Sequence, residues 1–243
     1  MSPDVPGFRH FHGQLETLRQ RLLDMSERAE GLVDMSVEAL LERDRGRAEA
    51  VIDGDKEVDA LELEVEQIAI SLLALQQPMA RDLRFIIGAL KISSDLERVG
   101  DHAVNIAQSV QRILEMKFSI KPDPEIEEMA RHARQMLGDA LDAFIRADGG
   151  LGRAVCRADD HVDALHDSLF RILITHMMED PQTISPALEL LLVSRNLERV
   201  ADLATNIGED AVYLAEGKQI KHHVEERGAQ GAVAAQRPRR RPT

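Results

Sequence analysis

The sequence predicts an all-α protein made of two tandem three-helix bundles, and three observations carry that expectation. The polar stretch Asp95-Leu96-Glu97-Arg98-Val99-Gly100-Asp101-His102-Ala103-Val104-Asn105-Ile106 returns 101 residues later as Asn196-Leu197-Glu198-Arg199-Val200-Ala201-Asp202-Leu203-Ala204-Thr205-Asn206-Ile207, so a unit has been duplicated. Aromatic residues make up only 3% of the chain and Trp is absent, leaving aliphatic side chains, the fillers of helix packing, to form the core. Those aliphatic residues recur in steps of three and four within segments that end at Pro or Gly.

Residues 1–9 hold Pro3, Pro6 and Gly7 and are expected to be irregular. A first helix then spans His10 to Asp44, with Leu15, Leu18, Leu22, Met25, Ala29, Leu32, Val33, Ser36, Val37 and Leu40 on one stripe. Arg45-Gly46-Arg47 reads as the turn. The second helix, Ala48 to Leu75, points Val51, Val58, Leu61, Val65, Ile68, Leu72 and Leu75 inward, and Gly54 is expected to loosen its first turns. Gln76-Gln77-Pro78 stops it, because proline breaks a helix interior but fits the first turn of the next.

The third helix, Met79 to Lys117, carries the first polar stretch in its middle. Asp123-Pro124-Glu125 then supplies a cap residue, a first-turn proline and an acid for a fourth helix reaching Ala147. Asp148-Gly149-Gly150 separates it from a fifth, Leu151 to Met178, and after Pro181 a sixth runs from Ser185 to Ala215. Val58-Asp59-Ala60-Leu61 matches Val162-Asp163-Ala164-Leu165 at an offset of 104, whereas the polar stretches match at 101. The missing residues fall at the counterpart of the Gln-Gln-Pro turn, where a deletion costs least. The expected units are thus 10–118 and 123–216, followed by a basic tail, 217–243, whose Ala, Gln, Pro and Arg composition predicts disorder.

Net charge is −13, and the tail from Gly217 carries seven Lys/Arg against two Asp/Glu, so the body before it is near −18. Such a body repels nucleic acid and anionic lipid and attracts cations or basic protein surfaces. The single cysteine, Cys156, excludes an internal disulfide framework and reads as a core thiol in a reducing cytoplasm. No run has the length of a membrane span, and Met1 to His10 lacks the pattern of a signal peptide.

Chemistry concentrates in the duplicated stretches. Glu97, Asp101 and Asn105, and again Glu198, Asp202 and Asn206, follow at intervals of four, which stacks them along one helix face. On the preceding helix of each half stand Asp55 and Asp59, and Asp159 and Asp163, at the same spacing. Four carboxylates converging from two helices repel unless a cation neutralises them, which points to hard-ion or iron-type oxygen coordination. The competing reading is a solvated acidic face, with Arg98 and Arg199 each paired to the Asp three positions on and Arg195 to Glu198. Asn105 and Asn206 serve equally as ligands or as helix-helix hydrogen bonders. His102 aligns with Leu203 and stands outside the site, whereas His166, aligned with Glu62, is a further ligand candidate. Phosphate-cradling Gly-rich loops, the Gly-x-Ser-x-Gly elbow and His-Glu-x-x-His are all missing, and a di-iron oxidase would need Glu-x-x-His twice. A metal-dependent helical oxidase or hydrolase is therefore the weaker functional alternative to a non-enzymatic role.

The duplicated Glu-Arg-Val-x-Asp-x-Ala-x-Asn-Ile, with Gln76-Gln77-Pro78-Met79-Ala80-Arg81-Asp82-Leu83-Arg84 before its first copy, resembles the PhoU family of phosphate-signalling regulators over His10 to His222. That resemblance implies an internal pseudo-twofold and multinuclear iron or zinc clusters on the acid motifs. The first would use Asp55, Asp59, Glu97, Asp101 and Asn105, the second Asp159, Asp163, Glu198, Asp202 and Asn206. Glu57 is replaced by His161 between the halves, so the resemblance does not require equal clusters. It further implies negative regulation: restraint of the phosphate ABC transporter through its ATPase, and a sensor histidine kinase held in its phosphate-replete state. Contact with the membrane would be indirect, through those partners, and a homodimer is compatible with this role.

Overall fold

The computed structural model describes residues 6–118 and 120–220. Helices α1 (Pro6–Glu42), α2 (Arg45–Gln76) and α3 (Ala80–Glu115) pack on one another. Helices α4 (Pro124–Arg146), α5 (Gly149–Glu179) and α6 (Ile184–Glu216) do the same, with one 3-10 turn, Pro181–Thr183, ahead of α6. This is the all-α pair of three-helix units that the duplication predicts. Among the described residues no helix is long and apolar enough to cross a membrane. Most of the expected disordered tail, residues 221–243, lies outside the described residues.

The helix ends differ from the expectation in ways that local chemistry explains. α1 starts at Pro6 rather than His10, because a first-turn proline lacks only an N–H that would have no helical acceptor. Arg45-Gly46-Arg47 is no separate turn but the first turn of α2: Asp44 caps it, its carboxylate accepting from the Arg47 N–H at 3.1 Å. The second half repeats the device, with Asp148 accepting from Gly150 and Leu151 N–H at 2.9 and 3.0 Å. Before each cap the chain turns through a left-handed residue, Arg43 at φ 57° and Ala147 at φ 52°, which are equivalent positions. α2 continues unbroken through Gly54, where an added Cβ would come within 3.0 Å of Leu32.

The α1 stripe is buried throughout as its spacing predicts. Leu75 is not: it is 72% exposed, because the buried line of α2 passes from Leu72 to half-buried Gln76 and leaves Leu75 to one side. Buried side chains of both units form one connected core. Phe144 of α4 is fully buried, lies over Gly88 and stacks on Phe85 of α3 at 5.1 Å between ring centroids. It therefore fastens the second unit to the first.

The other seam between the units is α3 against α6. Lys91 pairs with the buried Asp210 at 3.3 Å, and Arg112 with Glu189 at 2.9 Å. Between them the His102 Nδ1–H donates to Asn196 Oδ1 at 3.0 Å. These contacts run antiparallel along the two helices, and both polar stretches fall inside the span that they bound. Neither ion pair has a mate in the register of the duplication, where Leu192 and Ser109, and Tyr213 and Gly88, stand instead.

Phe144→Ala should lower the unfolding free energy by about 3–5 kcal/mol, read from urea denaturation, since it empties the junction of the two units. A loss below about 1 kcal/mol would show that the junction repacks without it.

Candidate metal centre

Each acid ladder meets its partner pair across two consecutive helices. Asp55 and Asp59 on α2 face Glu97 and Asp101 on α3, and the mutual electrostatics show it. Burial, then the charges of Asp59 and Asp101, push the Asp55 carboxyl up to about 6. Burial raises Glu97 too, followed by Asp101, Glu62, Asp59 and Asp55. In the second half burial, then Asp163, Asp202, Asp160 and Glu198, raise Asp159 to about 7. Glu198 and Asp202 are raised by burial first, with Asp202 and Asp163 respectively as their strongest acidic neighbours.

Asp55 and Asp159 occupy equivalent places, and each has one buried oxygen, Oδ1, without a hydrogen-bond partner. An acceptor desolvated in this way is costly unless something positive meets it. Gly100 belongs to the same arrangement, because a Cβ built there would overlap Asp55 Oδ1. A helix-interior glycine costs about 1 kcal/mol against alanine, and here it lets an α2 carboxylate press onto the α3 backbone. Ala201 at the matching position shows that the second wall leaves room for a methyl group. Along that wall α5 and α6 approach closely at Gly152 and Gly208, where an added Cβ on either would lie 2.5 or 2.9 Å from the other's carbonyl oxygen.

The solvated-face reading, in which arginines neutralise the ladders, fails for Arg98 in the first ladder, whereas arginines do act on the second. Arg98 pairs with Asp95 at 3.7 Å, and with Arg199 it lines a cleft of about 490 Å³ together with His102, Asp202 and Asn206. Arg199 still lowers Asp202 electrostatically, as Arg195 lowers Glu198. Asn206 thus faces the cleft, and Asn105 is exposed one turn beyond Asp101. His166 donates its Nδ1–H to Ser194 Oγ at 2.9 Å, because the Ser194 hydroxyl is itself given to Leu191 O. Its Nε2 is the nitrogen left toward the ladder, and the positively charged imidazolium is the form that lowers Glu198. Its counterpart Glu62 joins the first cluster as a further acid, raised by burial and then by Asp59. Cys156 is half-buried, with its thiol pushed up to about 11 by burial, as suits a core thiol.

The donor set fits a hard or iron-type cation: oxygen only in the first ladder, oxygen plus the His166 nitrogen in the second. Among the described residues, however, the three metal-competent side chains drawn within 4.8 Å of one another are Glu128, His132 and His161, outside both ladders. Among these residues no three donor atoms of either ladder lie within that distance of one another.

A PhoU domain model matches residues 22–110 and again 126–211. The chain belongs to the PhoU family. It is 40% identical over 210 residues to a phosphate-specific transport system accessory protein PhoU homolog of Zymomonas mobilis, covering 86% of this chain and 88% of that protein. The Aquifex aeolicus homolog is 40% identical over 216 residues, 88% of this chain and 97% of that one. The crystal structure of PhoU from Pseudomonas aeruginosa superposes with a TM-score of 0.82 at 36% identity, covering 86% of this chain and all of that one. The phosphate transport system regulatory protein PhoU of Streptococcus pneumoniae gives 0.80 at 29% identity, covering 87% and 99%.

The raised carboxyls predict how the chelated protein responds to pH. Asp55 and Asp159 hold their protons more tightly folded than unfolded, so their contribution to stability is greatest below the ordinary value of 3.8. It falls as pH rises through about 6 and about 7. In chelator, Asp159→Asn should flatten that fall and melt above wild type at alkaline pH. An unaltered pH profile would show that burial and neighbouring acids do not strain this group.

Proposed function

We propose that this chain is a cytoplasmic, non-catalytic, metal-binding accessory protein of a phosphate ABC transporter, and a negative regulator of phosphate uptake and of the phosphate-starvation response. The observation that carries the metal reading is the pair of equivalent carboxylate clusters, each with a buried, unpartnered Asp oxygen. Family membership supports the regulatory reading, since its relatives are named as accessory proteins of phosphate transport. Asp55, Asp59, Glu97 and Asp101 would hold one cluster, with Asn105 at its edge. Asp159, Asp163, Glu198 and Asp202 would hold the other, with Asn206 at its edge.

Bound iron or zinc would supply positive charge between two helices of each unit. The chain's own residues then do the regulatory work. With the acids neutralised, α2 is locked to α3 and α5 to α6, and the outer helical surfaces present a fixed shape to the transporter ATPase and to a sensor histidine kinase. Exposed apolar side chains near the ends of those helices, Met79 at 80% and Met178 at 81%, suit such contacts.

Elemental analysis should find metal in the wild-type protein and far less in Asp101→Ala plus Asp202→Ala; equal content in both would sink the ladder reading. Metal at about 100 times its Kd adds about 2.7 kcal/mol per site. For a chain of this size that raises Tm by about 2–4 °C per kcal/mol, and chelator should reverse it. Deleting the gene should raise phosphate-starvation expression in phosphate-rich medium, and unchanged expression would remove the regulatory claim.

A further inference from the structure

We propose that Glu128, His132 and His161 form a separate site for a zinc-class divalent ion on the α4–α5 surface, chemically distinct from the oxygen-rich ladders. Glu128 and His132 stand one turn apart on α4, and His161 reaches them from α5. The Glu128 Oε1 lies 3.4 Å from His161 Nε2 and 3.7 Å from His132 Nε2. Zinc bonds of about 2.0–2.2 Å in a tetrahedron place neighbouring donor atoms about 3.3–3.5 Å apart; both Glu128–histidine distances are within a few tenths of an ångström of that, and all three donor atoms lie within 4.8 Å of one another. The two rings meet edge to face, 4.3 Å between centroids, which brings both imidazoles to one side of the carboxylate. Two nitrogens and one oxygen suit zinc, cobalt or nickel, with water in the fourth place.

The duplication supplies an internal comparison. The matching residues of the first half are Asp24, Arg28 and Glu57, in the register that also matches buried Met25 with Met129 and Ala29 with Ala133. There Arg28 pairs with Glu57 at 3.3 Å, and Arg21 holds Asp24 at 3.0 Å. One copy therefore closes this corner with protein cations. The other has exchanged the Arg28–Glu57 pair for two imidazoles.

A positive group already stands at the second corner. Arg131 Nη2–H donates to His132 Nε2 at 3.0 Å and lies 3.9 Å from Glu128 Oε1. A guanidinium can only donate, so His132 Nε2 is the nitrogen bearing the lone pair. Arg131 is exposed, and it would swing into solvent as the ion takes its place.

The test uses the full chain with Asp59, Asp101, Asp163 and Asp202 all changed to Asn, stripped with chelator and titrated with Zn2+ by calorimetry and with Co2+ by visible absorption. One equivalent of Zn2+ and tetrahedral Co2+ bands are expected to persist in this parent, so failure of the ladder reading leaves the result intact. His132→Arg plus His161→Glu, which installs the first half's own ion pair, should lose both. His161→Ala, at an exposed position, should weaken Zn2+ binding about tenfold or more and serves if the double variant misfolds. Arg131→Ala should tighten binding, an effect that a purely structural role for the cluster would not produce. A parent that binds no Zn2+, or histidine variants that bind it as the parent does, would overturn the proposal.

Discussion

Carboxylates on consecutive helices repel, and the architecture holds them together nonetheless. Asp55 and Asp159 are kept partly dry beside other acids, each with one oxygen that meets no donor. Apolar burial on the same helices provides the opposing force: Val58, Leu96 and Val99 flank the first cluster, and Val162, Leu197 and Val200 the second, all fully buried. A helix pair that zips on such residues cannot splay far enough to relieve the acids. Electrostatic strain is thus stored in the wall of a core that does not yield.

The two ladders stand on the two helices of the α3–α6 seam. Because each ladder lies inside the span fixed by Lys91–Asp210 and Arg112–Glu189, motion of one helix along its axis would disturb both ladders at once. Arg98 and Arg199, which sequence spacing assigns to the acids, line the cleft at that seam, with Arg98 anchored to Asp95. They leave the α2–α3 face of the first ladder to the carboxylates.

Much of this was legible in the sequence because duplication exposes what periodicity alone cannot. The α1 stripe follows from spacing, and the two acid walls follow from aligning Asp59 with Asp163 and Asp101 with Asp202. Helix ends were less legible: whether Pro6 starts a helix or Asp44 caps one depends on backbone angles that residue types only bias. Leu75 was misplaced because a stripe with steps of three and four has two continuations, and only packing selects one. The Glu128, His132 and His161 cluster was hidden for a different reason. Its signal is one acid-histidine step on α4 plus a histidine on α5, and the pairing of those helix faces is a property of the assembled bundle. Comparing Arg28 and Glu57 with His132 and His161 would have found the exchange.

The uneven seam has a consequence for stoichiometry. A perfect duplicate presents every visitor with two identical seats, and anything that fits one end fits the other after a half turn. Here Lys91 and Asp210 face each other where the mirror place offers Leu192 and Ser109, and a glutamate, Glu62, stands where the other half has His166. The molecule is repeated in shape and unrepeated in chemistry. It has a front and a back, so ligands filling its two ladders would obey two constants rather than one, and a partner reading its surface would meet a single orientation.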